Sequence, residues 1–247
     1  DLTDLAEAGR LERVHGGAVL PSGTTNIEYG ERRSLNREAK RAIALACAKA
    51  AYDAGARWVV LCDTNGGTLP DEVKEIIGKV RAVVPGDHLG IHTHDDTGHA
   101  VANTLAAVDA GVRQIQGTLN GIGERCGNAN LITLIPTLKL KQAYAEKYEL
   151  GVTNDQLAEI TSISHAFDEM LNRSPDRHAP YVGETAFATK AGIHASAILK
   201  DPQTYEHVPP EAVGNRRRVL VSDQAGKSNL LGLMGVNCQE GKSNELL

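Results

Sequence analysis

The stretch WVVLCDTNGGTLPDEVKEIIGKV, residues 58–80, decides how the chain is read. WVVLCD is β-branched and apolar enough for a buried strand, and the loop DTNGGT that follows carries two adjacent glycines. Thr68 is a candidate N-cap, Pro70 suits a first helical turn, and Val73, Ile76, Ile77 and Val80 recur at helical spacing. The stretch is therefore one strand, loop and helix in succession.

The unit repeats on either side. Residues 46–54 read as the end of a helix closed by Gly55. Downstream, a strand over 88–92 contains Leu89, Gly90 and Ile91 and runs into HTHDD at 92–96. A helix over 98–110 then sets Ala100, Val101, Leu105 and Val108 on one face and stops at Gly111, and RQIQGTLNG at 113–121 supplies a third strand. Successive βα units of this length imply a parallel sheet, either a barrel or a doubly wound sheet. In both architectures chemistry gathers at the C-terminal ends of the strands. DTNGGT, HTHDD and NGIGERCGN all fall at that edge. Residues 153–171 read as a further amphipathic helix through Leu157, Ile160, Ile163, Phe167 and Leu171, and 172–221, rich in Pro, His and Arg, reads as a connector or small subdomain.

At 247 residues with 41% hydrophobic composition, the chain can fill the core of one large α/β domain or two smaller ones. A net charge of -5 gives no overall electrostatic footprint for nucleic acid. No apolar run approaches the roughly 20 residues that cross a bilayer, and no signal peptide opens the chain, so no membrane and a cytoplasmic location are expected. Cys47, Cys62, Cys126 and Cys238 form no C-x-x-C pair, which argues against a zinc ribbon or a disulfide framework. GKSN recurs at 226–229 and 241–244, but a phosphate loop needs glycine where Val221 and Val236 stand, so both copies read as a surface turn and helix start.

Alternate residues of a strand point the same way, so His92 and His94 face together. Such a pair at a strand end can hold one divalent cation, and the next loop brings Glu124, Arg125 and Asn128, whose amide oxygen is an acceptable ligand. The plainer alternative is that the glycines only shape a turn and that Glu124 pairs with Arg125. Asp95 and Asp96 are expected to orient the two imidazoles.

The runs AAYDAGARWVVLCDTNGGTLPDEV, IHTHDDTGHAVANTLAAVDAG and QGTLNGIGERCGNANL resemble the acyl-CoA-condensing synthases that include 2-isopropylmalate, homocitrate and citramalate synthases. GETAFATKAGIHASAILKDPQTYEHVPPEAVGNRRRVLVSDQAGKSN is most similar to the citramalate synthase branch, and the resemblance covers roughly residues 48 to 232. It implies a partial TIM (β/α) barrel, the C-terminal half, followed by a small connector subdomain. It implies His92, His94 and Asn128 as ligands of a divalent metal cation (Mg, Mn or Zn) and Thr64 beside a bound 2-oxo acid. His194 in AGIHASA and Tyr205 in QTYEHV match catalytic positions that reach over an active site, often that of the partner subunit, so a homodimer is implied. The activity implied is a Claisen-type condensation of acetyl-CoA with pyruvate, with thioester hydrolysis, in branched-chain amino-acid biosynthesis. The family's first barrel strand carries an Arg-Asp pair followed by Gly, and a later glutamate is a candidate base. None of these is found in the chain, so the expected metal site is incomplete unless a second chain supplies them.

LERVHGGAVL and ERRSLNREAKRAIA, in the first 45 residues, resemble the DeoR family of bacterial transcription regulators at the end of the winged-helix domain and its linker. The chain is accordingly read as 1–47 regulator-like, 48–171 partial barrel with the metal site, and 172–247 connector and tail. Two other functions accompany the enzyme reading: a partial DNA-binding regulator, whose DNA contact is expected to be weak, and a non-catalytic interaction fragment.

Overall fold

The computed structural model describes residues 36–220, together with Glu7 and the backbones of 12–14 and 17–19. The two GKSN runs, Cys238 and most of the regulator-like stretch lie outside the described residues. The chain divides into two compact units, 1–51 and 52–247. In the first, β1 (Glu12–Val14) pairs antiparallel with β2 (Gly17–Val19), Val14 opposite Gly17. The helix α1 (Arg37–Asp53) buries Ala48 and leaves Ile43 exposed. Gly55, at φ 92, follows it as expected.

The second unit is built on β3 (Val59–Asp63), α2 (Pro70–Val80), β4 (Leu89–Thr93), α3 (Ala100–Asp109), β5 (Gln114–Gln116) and α4 (Leu131–Leu140). The three strands are parallel and lie in chain order, with Leu61 beside Ile91 and Ile91 beside Ile115. Right-handed crossovers between strands taken in order put successive helices on one side of the sheet, and α2 packs against α3. A doubly wound sheet needs a reversal of strand order, which these strands lack. The arrangement is a segment of a (β/α) barrel.

Alternation along β4 turns Leu89, Ile91 and Thr93 toward the helices. Leu89 and Ile91 are buried with Val73, Ile77 and Val80 of α2 and Ala106 and Val108 of α3. Each large side chain so buried stabilises the fold by about 1.5–3 kcal/mol. Thr93 is fully buried, and its hydroxyl is satisfied by the Ala100 carbonyl at 3.0 Å and the Thr104 hydroxyl at 2.9 Å. Val60, Cys62, Gly90, His92, Gln114 and Gln116 share the opposite face, which in a closed barrel is the interior.

Helix boundaries depart from the sequence reading for local reasons. α2 has Leu69 rather than Thr68 at its N-cap. Asp63 takes the Thr68 and Gly66 backbone N–H groups at 3.3 and 3.2 Å, while the Glu72 carboxylate reaches back to the Leu69 N–H at 3.0 Å. Ile76, expected on the buried face, is exposed.

After α4 come the short α5 (Gln142–Ala145) and α6 (Asn154–Leu157), then α7 (Ile160–Met170). The single helix expected over 153–171 is thus two, the first capped by the Thr153 hydroxyl with Gln156 in reply. Ile163 and Leu171 are exposed, while Leu157 and Ile160 are buried. Farther on, β6 (Ala188–Thr189), α8 (Gly192–Lys200) and β7 (Arg218–Val219) complete the described chain, with β6 parallel to β7. One apolar cluster takes in Ile132 of α4, Leu157, Ile160, Val182, Phe187 and Val213. Among the described residues no helix is long and apolar enough to cross a membrane.

Candidate metal and substrate site

The loops after β3, β4 and β5 emerge side by side, and backbone hydrogen bonds stitch them together. The His94 N–H donates to the Asp63 carbonyl at 3.2 Å, the Ala129 N–H to Thr93 at 3.0 Å and the Asp95 N–H to Gly127 at 2.9 Å. His94 and Asn128 form an antiparallel bridge, so the expected neighbours of the second and third loops meet directly.

Arg125 adds a side-chain tie across all three loops. Its Nε and Nη2 donate to the two Asp96 oxygens at 2.6 and 2.8 Å, and Nη2 also donates to the Thr64 carbonyl at 2.8 Å. Glu124 stands farther off, 3.7 Å from Arg125 Nη1, so the Glu124–Arg125 pairing of the plainer alternative is the lesser contact. The Arg125 guanidinium, through its hydrogen bonds, holds the Asp96 carboxyl below the usual carboxylate range.

The expectation that Asp95 and Asp96 orient the imidazoles is corrected by these partners. Asp95 Oδ1 accepts the Ala100 N–H at 2.8 Å and so caps α3, satisfying one of the donors that a helix start leaves unpaired. Asp96 serves Arg125. Adjacent residues in this turn have different tasks, and neither is hydrogen-bonded to a histidine.

His92 and His94 do come together: their ring centroids lie 5.2 Å apart at 65°. Asn128 Nδ2 lies 3.2 Å from His92 Nε2. His94 is buried, and its Nδ1 has no hydrogen-bond partner among the described residues. An orphaned ring nitrogen of a buried imidazole, beside a second imidazole and a side-chain amide, suits a divalent cation. No cluster of three or more His, Cys, Asp or Glu side chains with metal-holding geometry forms among the described residues. The donor set therefore fits a cation with neutral ligands only.

Thr64 is exposed at the mouth of the same loops. His194, on α8, and Tyr205 form a separate pair with ring centroids 4.3 Å apart, Tyr205 being 52% exposed. The structure brings these two together but shows no hydrogen bond or ring contact from them to His92 or His94. Sequence reasoning did not place Cys62 and Gln116, the register partners of His92, beside it on one face. The signal was available, because strand alternation together with a fixed register dictates it.

The description HMGL-like matches residues 21–165, and homocitrate synthase post-HMGL domain-like matches 181–237. The first match begins inside the segment read as regulator-like and covers residues 21–47 of it. The (R)-citramalate synthase of Synechocystis sp. is 53% identical over 195 residues, covering 76% of this chain and 35% of its own length. That of Geobacter sulfurreducens is 55% identical over 183 residues, 74% of this chain and 34% of its own. A "Probable 2-isopropylmalate synthase" of Methanopyrus kandleri is 37% identical over 249 residues, 99% of this chain and 48% of its own. The chain spans about a third of the length of the citramalate synthases it matches. Among solved structures, hydroxymethylglutaryl-CoA lyase from Pseudomonas aeruginosa aligns at TM-score 0.45 and 22% identity, over 53% of this chain and 43% of that one. With a match that covers more than half of the sequence and takes in every loop carrying His92, His94, Arg125 and Asn128, the chain belongs to the HMGL-like family.

Proposed function

We propose that the chain is the metal-site portion of an acyl-CoA-condensing synthase of the (R)-citramalate type, which joins acetyl-CoA to pyruvate and releases CoA by thioester hydrolysis. The observation that carries the reading is the meeting of His92, His94 and Asn128 at the strand ends, with His94 Nδ1 buried and unpartnered. The relatives named (R)-citramalate synthase supply the substrate class.

In this reading His92, His94 and Asn128 hold a divalent cation. When bound, it supplies Lewis acidity toward a ketone oxygen. The chain's own part is positional. Arg125 fixes the Thr64 backbone, which sets the Thr64 side chain at the mouth where the carboxylate end of a 2-oxo acid would rest. His194 and Tyr205, packed ring to ring, are the groups proposed to handle protons, reaching the site of a partner in a homodimer. A base takes a methyl proton of acetyl-CoA, the carbon attacks the ketone, and water cleaves the thioester, so that acetyl-CoA, pyruvate and water give citramalate and CoA.

The test is CoA release from acetyl-CoA with pyruvate, compared with a branched 2-oxo acid, in the presence of Mn²⁺ or Mg²⁺. Turnover that requires the metal and is lost in His92→Ala and His94→Ala supports the proposal. Turnover that survives both substitutions, or a folded chain that neither releases CoA nor binds Mn²⁺ in a way that His92→Ala and His94→Ala abolish, refutes it.

A second reading attaches to the first unit alone. The β1–β2 hairpin followed by the charged α1 is compatible with the regulator-like segment. Its measurement is a DNA mobility shift, where binding no stronger than that of an unrelated acidic protein removes the reading.

A further inference from the structure

A second polar site lies away from the strand-end loops. A cleft of about 460 Å³ opens between α7, the stretch before β6 and the turn leading into β7. Arg177, Arg216 and Arg218 form its charged wall, with Glu184 and Asp176 as the acidic members.

The carboxylates do not balance the guanidiniums. Glu184 is shared, taking Arg177 Nε on one oxygen at 2.9 Å and Arg218 Nη1 on the other. Asp176 Oδ1 is occupied by the His178 backbone N–H at 2.9 Å. Among the described residues Arg216 has no carboxylate partner: its backbone N–H donates to Asn215 Oδ1 at 2.8 Å and its side chain is exposed. Arg218 Nε, moreover, is buried in this wall without a hydrogen-bond partner among the described residues. A buried N–H donor left unmet is costly even where the same guanidinium pairs through Nη1 with Glu184, and such a donor in a native fold calls for an occupant. The wall is also fixed in place, because Asn215 Nδ2 donates to the Tyr181 and Gly183 carbonyls at 2.9 and 3.0 Å.

We propose that this cleft binds a small oxyanion, a phosphate or carboxylate group, through Arg216 and Arg218 with Arg177 at the rim. Guanidinium forks match either group, since both present paired oxygens. The site is distinct from the His92 and His94 cluster and shares none of its residues.

Calorimetric titration of the whole chain in phosphate-free buffer tests this, with inorganic phosphate and malonate as separate probes. Saturable binding of one anion is expected, and the tighter of the two identifies the source. Arg216→Gln keeps the backbone contact to Asn215 and should weaken binding roughly tenfold or more. Glu184→Gln removes the competing carboxylate and should strengthen it. Lys74→Gln, at an exposed position of α2, should change nothing. No saturable binding of either probe, or equal affinity in the Arg216→Gln protein, overturns the proposal.

Discussion

Replacing Gly127 with Ala tests whether the backbone of the strand-end loops is as tightly set as the hydrogen bonds indicate. Gly127 has φ 95, outside the range that a residue with a Cβ adopts without cost, and that alone is worth about 1–2 kcal/mol. Its surroundings add to this. A Cβ there would lie 2.0 Å from the Gly121 carbonyl oxygen, where about 3.3 Å is the ordinary limit, so the loop must shift by roughly an ångström. That same carbonyl accepts the Asn128 N–H at 3.0 Å, a bond worth about 0.5–1.5 kcal/mol. The expected loss is about 2–4 kcal/mol. Gly98→Ala is the matched control: φ is 71 but nothing lies within 4 Å of the added carbon, so it should lose only the backbone part, about 1–2 kcal/mol. With a urea slope of about 2–3 kcal/mol per molar, the unfolding midpoint should fall by about 1 M or more for Gly127→Ala and by about 0.5 M for Gly98→Ala. Equal shifts for the two proteins would refute the reasoning, because both glycines have positive φ and the close approach to the Gly121 carbonyl is what the Gly127 position adds.

Three further outcomes follow from the packing and the site. Leu134 is 1% exposed in the cluster with Ala100 and Ala129, so Leu134→Ala should lower stability by about 2–5 kcal/mol in the same urea assay; a loss under about 1 kcal/mol would mean that the cluster collapses to fill the gap. Asp96 is depressed below its ordinary 3.8, so its stabilising effect is fully present above that value and fades as pH falls through the lower folded value. Asp96→Asn should therefore be less stable near neutral pH and show a shallower acid dependence below pH about 4, and parallel curves for the two proteins would exclude the ion pair as the cause. Because the proposed cation ligands are neutral, the carboxylate of a bound 2-oxo acid should tighten Mn²⁺ binding, by about tenfold for a coupling of about 1.4 kcal/mol, in a titration followed by electron paramagnetic resonance. Unchanged affinity with pyruvate present would count against chelation by the substrate.

The strands β3 and β4 were legible because WVVLCD and the run through Leu89 and Ile91 are apolar stretches of strand length. Side-chain alternation likewise predicted that His92 and His94 meet. What sequence adjacency could not reveal is partner choice. Asp95 and Asp96 look alike on the page, yet the turn between β4 and α3 sends one carboxylate to the Ala100 N–H and the other to Arg125, 29 residues away. Thr68 was the better cap by type, but Asp63 holds its N–H, and Glu72 completes the helix start one residue later. The strands β6 and β7 are two residues each and pair over a long separation, so no periodicity announces them. The break between α6 and α7 is equally invisible, because the apolar spacing runs straight through it.

The position of His92 explains why the site has its present character. It belongs to the central strand, between Cys62 of β3 and Gln116 of β5, on the face opposite the helices. That face is the side a closed barrel would cover, and Cys62 is exposed on it. Among the described residues the outer edges of β3 and β5 have no strand partners. Parallel strands are stable when both edges and both faces are covered, so the exposed face and the open edges belong to one structural fact. The same fact bears on the chemistry. All three candidate ligands are neutral and come from the end of β4 and the two adjacent loops, so they would approach a cation from one side and leave its charge uncompensated. Any carboxylate ligand must approach from the open face, whether it comes from the bound acid or from another strand of a barrel. The loop ties through Arg125 and Asp95 then have a clear purpose: they fix the one side of the site that this sheet provides.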